Sequence, residues 1–127
     1  MAGLQAEIRA RLQGPINSVP VAFTRDGTID HAGIERMIAR SLEAGCRVVM
    51  LTWGNSLISL LSDDEVADVH ETVARSVGPD ALTVACDNRW GLPKCIDFGR
   101  FVRELGFDVY MVRPADTMPG TPASLAA

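Results

Sequence analysis

One lysine, one tyrosine and two histidines in 127 residues leave this sequence few of the side chains that move protons or form covalent intermediates. Lys94 is the sole ε-amine, so any imine the chain itself could form would have to form there. Cysteine is scarce as well. Cys46, Cys86 and Cys95 are odd in number and scattered, without a C-x-x-C pair. That spacing excludes a zinc ribbon or a disulfide framework and predicts reduced thiols in a cytoplasmic protein. His31 and His70 stand far apart with no ligand spacing between them, so no metal is expected, and no cofactor motif is present. Apolar runs are short, and Glu7, Arg9 and Arg11 interrupt the N-terminal stretch. Neither a signal peptide nor a membrane span is predicted. Positive charge is not in excess: the net charge of −4 leaves no electrostatic footprint for nucleic acid.

What is present is ordinary for a globular chain, 47% apolar and 22% charged. The length allows one domain, residues 1–127, with a sizeable core. One phrase occurs twice. Glu43-Ala44-Gly45-Cys46-Arg47-Val48-Val49-Met50-Leu51-Thr52 is echoed by Glu104-Leu105-Gly106-Phe107-Asp108-Val109-Tyr110-Met111-Val112-Arg113. Each copy reads as a helix end, a glycine suited to the left-handed C′ position, and a buried strand. The first copy runs straight into Thr52-Trp53-Gly54-Asn55-Ser56, a small polar loop at a strand's carboxyl end, where α/β proteins bind ligands.

The rest of the chain repeats that unit. Leu4, Ile8 and Leu12 predict a short amphipathic helix over 3–13, ended by Gly14-Pro15. Ile16 to Phe23 reads as a first strand closed by the turn Arg25-Asp26-Gly27. Asp30 caps a helix from His31 to about Ala44, with Ile34, Met37, Ile38 and Leu42 inward. Ser62-Asp63-Asp64-Glu65 is a capping box opening a helix with Val66, Val69, Val73 and Val77 inward. Leu82 to Cys86 is a third strand, ending in Asp87-Asn88-Arg89. A helix over 93–105 turns Ile96, Phe101, Val102 and Leu105 inward, and Val109 to Arg113 is a fourth strand. Thr121-Pro122 reads as the start of one more helix. Strands alternating with helices predict a parallel sheet.

Two α/β folds have this rhythm. A receiver-type doubly wound domain would be complete at this length, but its chemistry needs an acidic pair after the first strand and a late lysine. The first strand here ends Val21-Ala22-Phe23-Thr24, with a lone Asp26, and no lysine follows position 94. The other is a TIM barrel, of which four βα units preceded by a short N-terminal helix make one half.

From about Gly14 to Ala127 the sequence resembles the N-terminal half of the dihydrodipicolinate synthase/N-acetylneuraminate lyase family, the pyruvate-type class I aldolases. The resemblance is carried by Val19-Pro20-Val21-Ala22-Phe23, Asp26-Gly27-Thr28-Ile29-Asp30, Glu43-Ala44-Gly45, and Thr52-Trp53-Gly54-Asn55-Ser56 leading to Leu61-Ser62-Asp63-Asp64-Glu65. The loop Thr52–Ser56 stands where the family has its Gly-Thr-Thr-Gly-Glu-Ser loop, with the capping box following it. The resemblance implies a lyase that binds a 2-oxo acid such as pyruvate as a Schiff base to a lysine on strand six. It implies a carboxylate held by the loop after strand two and a tyrosine after strand four that shuttles the proton. Carried over by position, Thr52 matches the loop's first threonine. Trp53 replaces the second, leaving its backbone N–H, and Asn55 replaces the glutamate. Val112-Arg113-Pro114-Ala115-Asp116 occupies the Val-Thr-Pro-Tyr-Tyr phrase, which puts Asp116 at the tyrosine's position. The lysine has no counterpart in this chain.

The sequence therefore reads as a truncated or partial lyase of this kind, inactive in the family's reaction as a 127-residue chain. The alternative is a non-catalytic remnant or interaction module with weak oxo-acid binding. Lys94, at a helix start after the third strand, reads as a surface residue. Arg113 and Arg89, leaving strands four and three, are candidates to clamp a carboxylate, with Asp87 and Asn88 beside them. Trp53 and Trp90 are candidates for an apolar pocket wall, and Tyr110 for a core residue. Open sheet edges on strands one and four predict a homo-oligomer.

Overall fold

The computed structural model describes residues 2–89 and 91–113. Trp90 and residues 114–127 lie outside the described residues, and with them the expectations placed on Asp116 and on the helix start at Thr121-Pro122. In chain order the elements are α1 (Ala2–Arg11), β1 (Ile16–Ser18), α2 (His31–Glu43), β2 (Val48–Met50), a 3-10 turn (Ile58–Leu60), α3 (Asp63–Ser76), β3 (Leu82–Cys86), α4 (Leu92–Glu104) and β4 (Val109–Met111).

The four strands are parallel and lie in the order β1-β2-β3-β4. A doubly wound domain reverses its strand order at a switch point, and this sheet has none. Sequential order is what a barrel requires, so the receiver-type alternative is set aside and the fold is an α/β partial barrel. Ser18, Met50, Val84 and Val109 are in register across the sheet. Side chains alternate along a strand, so these four share one face with Val48 and Leu82. Val48, Leu82 and Val84 form a small cluster there with Ile8, Met50, Val109 and Met111. The opposite face, carrying Val19, Val49 and Ala85, packs against α2, α3 and α4 in the larger core.

Local signals placed the helices. Asp30 accepts the Gly33 N–H at 2.8 Å and caps α2, whose Ile34 and Ile38 are fully buried. Ser62 and Glu65 form the expected capping box on α3. Gly45 and Gly106 both take positive φ, +94° and +90°, at the two matching helix ends. A residue with a Cβ would be strained at either position.

Three expectations need correction. The first strand does not run from Ile16 to Phe23; it ends at Ser18, and Phe23 pairs antiparallel with Ile29 around the Asp26-Gly27 turn. Pro20 has no N–H to continue the ladder. Helix α1 forms, but Leu4 and Leu12 are exposed and only Ile8 of that stripe reaches the sheet. In α4 the buried residues are Phe98 and Val102, while Ile96 is exposed. Phe98 takes the inward place because it stacks against neighbours from other elements: His70 at 5.0 Å, Tyr110 at 5.7 Å and the Arg89 guanidinium at 4.2 Å.

Candidate functional site

The alternation that turns Val48 and Met50 to the inner face also turns Thr52 there, two residues on, at the carboxyl end of the sheet. Thr52 meets two other hydroxyls. Its Oγ1 lies 3.0 Å from Ser18 Oγ, at the end of β1. Its backbone N–H donates to Ser56 Oγ at 2.9 Å, and the Ser56 N–H points back to Thr52 Oγ1 at 3.4 Å. Ser56 is fully buried, which fixes the loop's far end. Between these anchors the N–H groups of Trp53, Gly54 and Asn55 have no hydrogen-bond partner among the described residues. Hydroxyls plus successive unpaired N–H groups at a strand end form a receptacle for an oxyanion. Ser18 was not read as a site residue, because a lone serine in a strand carries no motif.

The other expected residues fall into two groups. Trp53 is half-buried, and its indole N–H donates to the Asp87 carbonyl oxygen, tying the β2 loop to the β3 loop. The Arg113 guanidinium lies 5.6 Å from the Trp53 ring centroid. Trp53 and Arg113 line a recess of about 180 Å³ with Ser59, Asp87, Asn88 and Arg89. Asn55 is exposed, its amide reaching the Ser18 carbonyl oxygen at 3.4 Å. Thr52, Trp53, Asn55 and Arg113 are thus gathered at one end of the sheet.

Arg89, Asp87, Asn88 and Lys94 are placed otherwise. The Arg89 guanidinium turns over Phe98 and reaches Asp87 at 3.9 Å and Asp63 at 3.8 Å, so it is a packed ion pair. Asp87 is 3% exposed. Burial pushes its carboxyl above the usual carboxylate range, against the opposing pull of Tyr110 and Arg89. Tyr110 sits on the helix-facing side against Phe98, and burial, reinforced by Asp87, pushes its phenol up. Asn88 spends its amide on the carbonyl oxygens of Ile58 and Leu61, at 3.1 and 3.0 Å, holding the 3-10 turn. Lys94 is exposed in the first turn of α4, in the groove it lines with Asp63, Asp64 and Asp97. Cys86, at the end of β3, has its thiol pushed up to about 12 by burial and by the neighbouring Asp87, so it stays protonated and is no nucleophile at neutral pH. Among the described residues no cluster of three or more His, Cys, Asp or Glu side chains could hold a metal, and no helix is long and apolar enough to cross a membrane.

A sequential parallel sheet with helices packed on its outer face defines the class: a TIM-barrel-type α/β protein, in which the strands' carboxyl ends are where such folds bind ligands. The comparisons narrow it. No family model matches the chain. Over 104 residues, 82% of this chain, it is 28% identical to an uncharacterized DapA-like lyase of Pyrobaculum arsenaticum. A second uncharacterized DapA-like lyase, of Pyrobaculum neutrophilum, is 24% identical over the same length. The chain spans 34% of each, about a third of the curated relatives it matches. Among solved structures it is similar to a Pseudomonas aeruginosa protein assigned as a dihydrodipicolinate synthetase, with a TM-score of 0.78, 22% identity, 90% of this chain covered and 39% of that one. N-acetylneuraminate lyase from Mycoplasma synoviae gives a TM-score of 0.72 at 17% identity, covering 85% of this chain and 40% of the other. A prophage protein of the dihydrodipicolinic acid synthase family from E. coli K12, solved in complex with pyruvate, gives 0.71 at 20% identity, covering 78% and 33%. This is the family whose N-terminal part the sequence resembles.

Proposed function

We propose that the chain is the carboxylate-holding part of a dihydrodipicolinate synthase-like lyase, and that its loop Thr52–Ser56 binds a 2-oxo acid such as pyruvate. The observation that carries this is the placing of the Ser18, Thr52 and Ser56 hydroxyls beside three N–H groups without partners among the described residues, at the carboxyl end of the sheet. In this reading the Thr52 hydroxyl and the Trp53 and Asn55 N–H groups meet the carboxylate, and Arg113 supplies positive charge nearby. The pyruvate held by the E. coli relative supports the ligand class. The imine step needs a desolvated ε-amine within reach of the bound carbonyl carbon. Lys94 stands exposed on α4, so the 127-residue chain binds the oxo acid without trapping it.

Two measurements test this on the purified chain. A ¹⁵N NMR titration with pyruvate is expected to shift the amides of residues 52–56, and Thr52→Val to weaken the response about tenfold, as for one lost hydrogen bond to a charged group. Intact mass after pyruvate and borohydride is expected to show no adduct. An adduct that vanishes in Lys94→Ala would overturn the assignment of Lys94, and unmoved amides would overturn the site.

We also propose self-association. Strands β1 and β4 are the sheet edges among the described residues, and the large apolar residues Ile16 and Val112 at those edges are 50% and 54% exposed. An unpaired parallel edge with apolar side chains recruits another strand. Sedimentation velocity is expected to show a dimer or larger species; a monodisperse monomer with a cooperative unfolding transition would count against it.

A further inference from the structure

Ser18 closes β1 on the inner face, in register with Met50, Val84 and Val109. Those three are apolar and offer the half-buried Ser18 hydroxyl no hydrogen bond. Its partner is Thr52 Oγ1, 3.0 Å away and one inner position nearer the open end. A hydroxyl has one proton to give and two acceptor sites. Thr52 Oγ1 already accepts the Ser56 N–H at 3.4 Å. Were Thr52 to donate to Ser18, it would have no proton for a ligand. With Ser18 as donor, both acceptor sites of Thr52 are filled and its one proton is directed away from Ser18 and Ser56.

We propose that Ser18 is a positioning residue: it donates to Thr52 and thereby aims the Thr52 hydroxyl proton at the carboxylate oxygen of a 2-oxo acid held on the Thr52–Ser56 loop. This rests on the binding reading above. A carboxylate favours that direction of the chain, since each hydrogen bond in the relay Ser18 to Thr52 to oxyanion polarises the next. The Ser18 carbonyl oxygen, accepting the Asn55 amide at 3.4 Å, ties the same strand end to the loop's tip, and that contact survives any change of the Ser18 side chain.

The test compares the 127-residue chain with Ser18→Ala, Ser18→Thr, Thr52→Val and the double variant Ser18→Ala/Thr52→Val, by NMR titration with pyruvate. Ser18→Ala is expected to weaken binding about tenfold, Ser18→Thr to restore most of it, and Ser18→Ala to add no further loss once Thr52 is valine. A role confined to holding the strand would give the same loss in both backgrounds. A readout without ligand accompanies it: three-bond couplings to the Thr52 methyl group are expected to report one χ1 rotamer in the parent and averaging in Ser18→Ala. Parent-like affinity in Ser18→Ala with an unaveraged Thr52 rotamer would overturn the inference and leave the binding reading standing. A parent chain that does not respond to pyruvate would overturn the binding reading and this inference's ligand with it.

Discussion

Replacing Arg89 by methionine is expected to cost about 3–5 kcal/mol of stability at neutral pH, the scale for removing one partner of a buried ion pair. The guanidinium is 13% exposed and Asp87 only 3%, with 3.9 Å between the charged groups. Methionine keeps much of the packing over Phe98 and removes the charge. Asp87 then keeps a buried carboxylate whose ion pair with Arg89 is gone. Tyr110, whose phenol is pushed up, brings no charge to balance it, and Asp87 Oδ2 and Arg89 Nη1 are already buried without hydrogen-bond partners among the described residues.

The pH dependence gives the mechanism away. Asp87 has its folded-state value raised above the ordinary 3.8, chiefly by burial. The folded chain thus holds this proton more readily than the unfolded one. The contribution of Asp87 is most favourable below 3.8 and is lost as pH rises through the folded value. Arg89 restrains that rise, so its removal moves the folded value further up. The loss in Arg89→Met should therefore shrink in acid and grow toward neutrality. Asp87→Asn introduced into Arg89→Met should recover much of it, because a carboxamide carries no charge to strand. Urea unfolding of the four chains at neutral and acidic pH checks this. An equal cost in the Asp87→Asn background would mean that Arg89 acts through packing alone.

Acidification is expected to remove up to about 3 kcal/mol through His70, counted at about 1.4 kcal/mol per unit of pKa displacement. His70 is fully buried, flanked by the Phe98 and Phe107 rings at 5.0 and 5.4 Å. Its Nδ1 lies 2.6 Å from the Val66 carbonyl oxygen and its Nε2 accepts the Cys86 N–H at 3.3 Å. That pattern needs the neutral ring with the proton on Nδ1, since a second proton on Nε2 would oppose the Cys86 N–H. Burial, with a smaller push from the Arg89 charge, lowers its pKa from 6.5 to about 4. Between those values the unfolded chain binds the extra proton and the folded one does not, so stability rises with pH across that window and is lost as pH falls through it. Asp87 works in the opposite sense over part of the range, so the comparison is made with His70→Gln. That variant should be less stable at neutral pH yet show a flatter dependence between pH 6.5 and 4. An unchanged slope would mean that other groups govern the acid response.

The two predictions meet at the end of β3, and neither was visible in one dimension. Sequence reasoning treated His70 as a helix residue without a metal partner and Arg89 as a candidate carboxylate clamp. Both assignments depend on where α3 and α4 sit over the strand, which no local pattern encodes. The same holds for Ser18. A serine at the end of a short strand has no signature until β1 and β2 pair and its hydroxyl falls beside Thr52. In α4 periodicity draws the stripe through Ile96, because it ranks apolar residues by spacing and cannot know that the aromatic ring two residues on has distant neighbours to stack on.

What the amino-acid sequence determined by itself is the succession of elements and their ends. Asp30 and Ser62 cap helices with their own side chains, Gly45 and Gly106 end them with backbone geometry open to glycine, and alternating apolar runs choose strand or helix. These are interactions between residues a few positions apart, so they can be read locally. The repeated unit and the loop Thr52–Ser56 were legible for the same reason. The tertiary structure alone decided which polar groups became ligand-facing and which became packing. Register put Ser18 and Thr52 on one face, helix packing buried His70 beneath Phe98, and the closeness of Asp87 and Phe98 turned Arg89 into a packed ion pair in the wall of the recess. Each of those outcomes depends on burial and on partners distant in sequence, and burial is a property of the assembled sheet and helices rather than of any stretch of chain.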